Sequence, residues 1–281
     1  SSFFSHSKIR DKIQWPDGPY ERVDDGFEKI CIEENALKPL IDSFPEKAKE
    51  ILLALFIEAP KEVSFGYDHN YNLDINEPRN WFPPFYTRGP FLYFLNHQPK
   101  IAIEFIVSLV NFATEQWTNS FKHKELEIPK QSLIYNEKTL NFLGDERVYF
   151  WFRDATGAPH SIVSALMALE KFLNNQVDSK KSITTYVDII VKKGNSVAYF
   201  GVLNSIGKFA NKLFLNELKP LLQVYNLYEW ERSLDYGAHN IEGHQMIGSN
   251  FFSSATWKLA KEWHTMPHRK TSIQAVSLPL F

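Results

Sequence analysis

The sequence predicts a mainly α-helical protein with a small β insertion. Residues 99–117 and 162–169 carry apolar side chains on most faces, which is typical of helices buried inside a domain. Further helices joined by short connections follow the second segment. Paired helices in this order favour an armadillo- or HEAT-like helical-repeat stack. No sequence period recurs, so we expect an irregular stack with an inserted antiparallel β-hairpin or meander.

We predict three regions along the chain of 281 residues. Residues 1–85 form a mixed N-terminal region with one helical segment, which follows Ser43 as a candidate N-cap. Residues 86–235 form a helical core with a β insertion at about 120–152. Residues 236–281 form a C-terminal loop and helix. The missing initiating Met and the apolar last residues lead us to expect a piece of a longer protein.

The amino-acid composition limits the kinds of binding partner and the cellular compartments that we expect for this protein. A hydrophobic fraction of 44% predicts a substantial core. A net charge of −2 gives no reason to expect a nucleic-acid or membrane partner. The single cysteine, Cys31, fits a reducing cytoplasm, and the polar residues after Phe4 lead us to expect no signal peptide. We expect no cofactor.

The stretch from Arg147 to Asn175 organises the predicted core. Val148–Phe152 has the aromatic content of a strand, and a turn at 154–157 separates it from a helix that begins at Pro159. Leu166 lies in the apolar part of this helix, so we expect it to be buried. Before this stretch, a β-hairpin is predicted from Ser132–Tyr135, Thr139–Phe142 and the turn between them, with Val148 starting a third strand.

Three helices are expected after the central one. Gly194 is predicted to end the first of them in a left-handed conformation. Gly201 and Gly207 lie inside the second, where glycine favours close approach of a neighbouring segment. The predicted spans are Ser182–Lys193, Val197–Leu213 and Asn216–Asp235.

Two segments resemble ligand-binding loops but depart from the required patterns. Segment 201–209 has five residues between its glycines, and Phe209 replaces the hydroxyl residue of a phosphate loop. Segment 67–74 is similar to a calcium loop, but Leu73 replaces the glycine and Arg79 replaces the bidentate glutamate. We interpret the first as part of a helix and the second as a solvated loop.

Several late histidines form the alternative, enzymatic hypothesis. Imidazoles at these spacings can bind zinc, and Glu242 and Glu262 lie nearby as acids that could orient the imidazoles. The absence of a cysteine among them and the cationic Arg269-Lys270 disfavour a metal. A metal-dependent hydrolase would use His239, His244, His264 and His268.

Two aromatic segments, Trp81–Tyr86 and Trp263–Lys270, are candidates for contact with a partner. Trp, Tyr and Arg dominate interface energy most often, and loops present them well. The alternative is that these aromatic side chains close the ends of the core. The candidate partner-binding residues are Trp81, Phe82, Phe85, Tyr86, Trp263, His268 and Arg269.

Three arginines next to apolar segments, Arg88, Arg147 and Arg153, could bind an anion. Pairing with acids such as Asp145 or Asp154 is the commoner outcome, because a partly buried arginine needs a carboxylate partner.

Four motifs together resemble the helical part of large bacterial ATP-binding proteins of the STAND type of NTPase, which act in antiphage defence. In order they are Thr87–Phe91, Tyr149–Arg153, Ser164–Glu170 and Trp263–Lys270. In that family the P-loop and effector domains lie elsewhere in the chain, and helical regions act as autoinhibitory or target-sensing scaffolds. The resemblance implies a non-catalytic scaffold or sensor that binds a protein partner or a neighbouring domain.

Overall fold

The computed structural model describes residues 4–9, 21–23, 30–31, 36–57, 73–76, 81–122, 125–153, 157–235 and 255–280. The first half of the chain contains two pairs of strands and five helices within these ranges. They are β1 (Phe4–Ile9), β2 (Glu21–Val23), α1 (Lys38–Ser43), α2 (Pro45–Phe56), α3 (Phe91–His97), α4 (Pro99–Lys122), β3 (Lys130–Tyr135), β4 (Lys138–Leu143) and α5 (Glu146–Tyr149).

In the second half, the regular elements of the described residues are α-helices and 3₁₀ segments. Its elements are a 3₁₀ segment (Phe150–Arg153), α6 (His160–Asp178), α7 (Thr184–Lys193), α8 (Ala198–Phe209), 3₁₀ segments at Asn211–Leu215 and Lys219–Gln223, α9 (Tyr225–Asp235), α10 (Ala255–His264), α11 (Pro267–Lys270), α12 (Ile273–Ser277) and a last 3₁₀ segment (Leu278–Leu280). The predicted fold class, a mainly helical stack with a small antiparallel hairpin, is confirmed. The predicted division into three regions stays a prediction.

Helix α6 is the centre of the core. It packs against α3, α4, α8 and the 3₁₀ segment that precedes it. Leu166 on this helix has no exposed surface, which confirms its predicted burial. The apolar residues around Leu166 face neighbours on every side, so α6 needs no polar stripe over its first three turns.

The predicted hairpin is confirmed as β3 and β4. Six residue pairs join the strands, from Lys130 opposite Leu143 to Tyr135 opposite Lys138. The two turn residues have positive φ, 49° at Asn136 and 64° at Glu137, as the tight turn of a two-residue hairpin requires. At the base of the hairpin, the Leu143 N–H donates to the Asn195 carbonyl at 2.6 Å, and the Val197 N–H donates to the Leu143 carbonyl at 3.0 Å.

The prediction of a third strand at Val148–Phe152 is wrong. This stretch forms α5 and the 3₁₀ segment, and the Asp145 side chain caps α5 by accepting a hydrogen bond from the Arg147 N–H at 2.9 Å. All five side chains from Val148 to Phe152 are buried. A helical turn enclosed by the core buries consecutive side chains, whereas a strand at the edge of a small sheet would expose alternate ones.

The helix predicted over Val197–Leu213 ends at Phe209, and the one predicted from Asn216 is divided into a 3₁₀ segment and α9. Pro220 lacks an N–H and restricts the residue before it, which interrupts a regular helix. Both helical glycines permit close approach, as expected. A Cβ at Gly201 would lie 2.5 Å from the Tyr149 carbonyl oxygen, and one at Gly207 would lie 2.3 Å from the Phe214 ring.

The left-handed conformation predicted at Gly194 is wrong. Its φ of −78° and ψ of 146° are extended, so any residue can adopt this backbone. A Cβ there would nonetheless lie 2.4 Å from the Ile190 carbonyl oxygen and 2.6 Å from the Tyr199 ring. Close packing, rather than backbone conformation, accounts for the glycine.

Some features fall outside the described ranges, including residues 67–72 of the calcium-like segment and the predicted turn at 154–156. In the described part of the chain, none of the helices has the length and apolar character needed to cross a bilayer.

Replacement of Leu166 by Ala should lower the free energy of unfolding by ~2–5 kcal/mol, because the lost apolar contacts leave a cavity. Leu259→Ala, in α10 with 46% of its surface exposed, is the matched control and should cost less than ~1 kcal/mol. Denaturant melts of both variants make the comparison. A Leu166→Ala loss as small as that of the control would remove α6 from the centre of the core.

Gly194→Ala should destabilise the protein, since the added methyl group overlaps the Ile190 carbonyl and the Tyr199 ring. At an extended position without such neighbours, the same change would stabilise by ~0.4–1 kcal/mol through the unfolded state. The sign of the change in urea unfolding therefore tests the close contact. A stabilised variant would show that the space is open.

Candidate functional site

One cluster contains every buried charged side chain among the residues whose burial the structure describes. Its members come from helices and segments that are widely separated in the sequence: the first 3₁₀ segment, α6, α8, α9, α10 and α11. We call it the buried charge cluster, and its residues are Arg153, Glu170, Lys208, Glu231, His264, His268 and Arg269.

The first half of the cluster is the ion pair between Glu170 and Arg269. Arg269 Nη1 donates to Glu170 Oε2, and its Nη2 donates to the Phe152 carbonyl at 3.1 Å. The second carboxylate oxygen accepts from the Ser205 hydroxyl at 2.6 Å and lies 3.6 Å from His268 Nε2. The carboxylate therefore has partners on both oxygens, which a buried charge requires.

Opposing effects act on the Glu170 carboxyl group. Burial alone would raise its pKa, but the charge of Arg269 and the contacts with His268 and Ser205 outweigh burial and lower the pKa to about 2. Glu170 is therefore ionised in the folded protein at neutral pH.

The second half of the cluster is the ion pair between Lys208 and Glu231. Lys208 Nζ lies 2.5 Å from Glu231 Oε2, and both side chains are inaccessible to solvent. The Tyr149 hydroxyl donates to the other carboxylate oxygen at 2.6 Å and accepts from Asn204 Nδ2 at 2.8 Å. Burial and the negative charge of Glu231 raise the pKa of Tyr149 well above its ordinary value, so this phenol stays protonated and keeps donating.

Arg153 interacts electrostatically with members of both ion pairs. Its Nη1 donates to the carbonyl of Arg269. Burial lowers the pKa of Arg153 to about 10, and the positive charge of Arg269 adds to this effect, while Glu231 and Glu170 oppose it. Arg153 therefore remains a cation at neutral pH.

Aromatic rings enclose the cluster. The Arg269 guanidinium carbon lies 5.2 Å from the Phe152 ring centroid and 5.4 Å from that of Trp263. The His268 ring lies edge-on to Phe209, with 5.1 Å between centroids. These faces favour cations electrostatically while they exclude water.

The predicted partner-binding residues lie largely inside the fold. Trp81, Phe85, Trp263, His268 and Arg269 are buried, and Phe82 and Tyr86 are half-buried. The Trp81 ring packs 5.7 Å from Phe56 and 6.0 Å from Phe91, and the Trp263 ring packs 5.2 Å from Tyr86. These positions favour the alternative that the two aromatic segments close the core.

The histidines of the metal hypothesis are only partly described. His264 and His268 belong to the buried charge cluster, whereas His239 and His244 lie outside the described ranges. No group of three or more potential metal ligands occurs within those ranges. The hydrolase alternative therefore gains no support from the residues that can be placed.

The arginines predicted to pair with acids have different partners. Arg147 pairs with Asp145 at 2.7 Å, as expected. Arg88 Nη2 lies 3.4 Å from the Phe82 carbonyl, and Arg153 uses the Arg269 carbonyl. Asp154, the acid expected to pair with Arg153, lies outside the described ranges.

Sequence reasoning missed Glu170, Lys208, Glu231, Tyr149 and Asn204 as members of one site. A local signal existed for two of them. Glu170 directly follows the apolar run of α6, and Lys208 is the only charged residue of α8. A lone charge in such a helix must find a buried partner, although the pattern cannot say which residue supplies it.

Comparison of the sequence with known proteins identifies no family for this chain. No protein-family model matches the chain, and no curated protein matches it.

Trp81→Ala should lower the free energy of unfolding by ~3–5 kcal/mol, because it removes a large ring from the core. Tyr225→Ala, which replaces an aromatic residue with 71% of its surface exposed, is the control and should change stability little. Thermal and denaturant melts measure both. A Trp81→Ala variant as stable as the wild type would restore the interface hypothesis for this loop.

Glu170→Gln should destabilise by ~3–5 kcal/mol, since it leaves the buried Arg269 charge without its carboxylate. The control, Glu229→Gln, removes an exposed pair with Arg232 at 3.4 Å and should cost at most ~1 kcal/mol. A double change of Glu170→Leu and Arg269→Met should recover part of the loss. Equal effects of the two Gln variants in urea melts would contradict the assigned ion pair.

The ionised Glu170 should also make the free energy of unfolding depend on pH. Its pKa in the folded protein, about 2, lies below the usual 4.5, so its contribution is complete above pH 4.5 and is lost as the pH falls towards 2. Over this range the wild type should lose roughly 3 kcal/mol more than Glu170→Gln. Urea unfolding at a series of pH values measures this difference. Parallel curves would show that Glu170 is not held ionised by the fold.

Proposed function

We propose that the chain is a non-catalytic helical scaffold or sensor segment of a larger bacterial protein, and that it binds a protein partner or a neighbouring domain. The observation that supports this proposal is that the buried charged side chains pair with one another across helices. Glu170 pairs with Arg269, Glu231 pairs with Lys208, and Arg269 also donates to the Phe152 carbonyl. Arg269 thereby joins α11 to Phe152, 117 residues earlier in the chain.

Catalytic acids and bases need access to a substrate, whereas these side chains connect helices. The C-terminal helices α10 and α11 are held on the core by Trp263, His268 and Arg269. A domain with a fixed interior of this kind is suited to presenting its outer surface to a binding partner.

The STAND-type assignment rests on the four motifs. Three of them meet at the buried charge cluster: Tyr149–Arg153 supplies Arg153, Ser164–Glu170 supplies Glu170, and Trp263–Lys270 supplies Arg269. We propose on this basis that the parent protein is a STAND-type NTPase, with a role in antiviral defence. A cytoplasmic location is part of the proposal and is supported by the single cysteine.

The test starts from the parent's full reading frame. The present chain and each remaining domain of the parent are purified separately and titrated against one another by calorimetry. We expect saturable binding to one of them. Absence of binding to every domain of the parent would overturn the neighbouring-domain proposal.

Metal analysis of the purified chain separates the enzymatic alternative. Stoichiometric zinc that is lost in a His239→Ala variant would favour the metal-dependent hydrolase and count against the scaffold. A metal-free chain that binds its neighbouring domain would favour the scaffold.

A further inference from the structure

The buried charge cluster holds more positive than negative charge. Arg153, Lys208 and Arg269 are cations, and Glu170 and Glu231 are the buried carboxylates among the side chains whose burial the structure describes. The balance of these five side chains is +3 against −2. An uncompensated charge inside a protein costs several kcal/mol, so a further negative group is needed nearby.

The excess can be located. Lys208 is paired directly with Glu231 at 2.5 Å, and Glu170 is paired with Arg269. Arg153 has no carboxylate among its hydrogen-bond acceptors in the described ranges. Its one hydrogen bond there goes to the Arg269 carbonyl. The unmatched charge therefore lies at Arg153, next to the second guanidinium.

Donors without acceptors occur at the same place. Arg153 Nε, Arg269 Nε and Trp263 Nε1 are buried and have no hydrogen-bond partner among the residues that the structure describes. These three residues have 4%, 0% and 4% of their surface exposed, so bulk water is not available to accept hydrogen bonds from them. Buried N–H groups are rarely left unpaired, because each one costs free energy.

Arg269 is the common neighbour of Arg153 and Trp263. The guanidinium carbons of Arg153 and Arg269 lie 5.9 Å and 5.2 Å from the centroid of the Phe152 ring. Arg269 also lies 5.4 Å from the Trp263 ring. Two guanidinium groups and an indole N–H in one region match the chemistry of an oxyanion, whose several oxygens accept from planar donors.

We propose that the buried charge cluster binds a small oxyanion beside Arg153, Arg269 and Trp263, of the phosphate class. The ligand supplies the missing negative charge and accepts the unpaired N–H groups. This proposal is independent of the scaffold function, because it concerns the interior of the chain and needs no partner. Inorganic phosphate and a phosphate group on a small metabolite share this chemistry.

Another source for the missing charge is Asp154, which follows Arg153 directly and lies outside the described ranges. The Asp154 carboxylate and a bound oxyanion make different predictions. If Asp154 neutralises Arg153, the protein has no use for phosphate, and Asp154→Asn destabilises it. If an oxyanion does so, added phosphate stabilises the wild type and Asp154→Asn alike.

The experiment uses the whole chain, purified without phosphate or sulfate. Its Tm is measured against inorganic phosphate, with sodium chloride at matched ionic strength and acetate as controls. We expect a saturable rise of roughly 4–8 °C at a hundredfold excess over Kd, with little effect of chloride. Native mass spectrometry before and after phosphate addition detects a bound anion directly. The same measurement with glucose 6-phosphate tests whether the site accepts a phosphate ester.

Trp263→Phe removes one proposed donor and keeps the ring, so it should fold. It should weaken phosphate binding roughly fivefold, the worth of one hydrogen bond. Trp117→Phe, in α4 and outside the cluster, is the matched control and should bind phosphate as the wild type does. Arg153→Gln should abolish the phosphate effect. The proposal is overturned if phosphate neither stabilises nor binds the wild type, or if both Trp variants respond to it equally.

Discussion

A carboxylate without access to water, at Glu170, sets the conditions that the rest of the fold must meet. It lies on the central helix α6, and its partners come from α8 and α11. Arg269, which neutralises it, also needs the Phe152 carbonyl from the segment before α6. Four parts of the chain must therefore meet at one point, since any one that is displaced leaves a buried polar group unpaired.

Such a pair contributes less to net stability than its geometry suggests. Desolvation of both ions offsets much of their attraction, and apolar residues of equal volume often stabilise a core as well. We interpret the cluster as a device that selects one arrangement of helices. The apolar surfaces of α6 and α8 would tolerate several packings, but only one brings Ser205, Glu170 and Arg269 together.

Local patterns predicted much of the architecture. The long apolar helices and the hairpin depend on residues close in sequence, and those predictions are confirmed. The stretch Val148–Phe152 was assigned wrongly because a short aromatic run has no periodicity that separates strand from helix. Helix α8 ends at Phe209, four residues before the predicted end, and no helix-stop signal in the sequence marks this position.

The cluster itself was beyond sequence reasoning for a different reason. It joins residues 99 positions apart, such as Glu170 and Arg269, and no spacing rule relates them. Histidine and arginine near Trp263 were expected at a surface, because charged side chains usually stay in water. Their burial becomes understandable only when Glu170 is seen to face them.

The hairpin has a practical consequence for protein engineering. Its base is fixed to the connection between α7 and α8 by backbone hydrogen bonds of Leu143, while its tip at Asn136 and Glu137 is exposed. Extra residues at the tip lengthen only a turn, and the entropic cost of a longer loop grows slowly. An epitope or a fluorescent label placed between Asn136 and Glu137 can therefore be carried without cutting into the core.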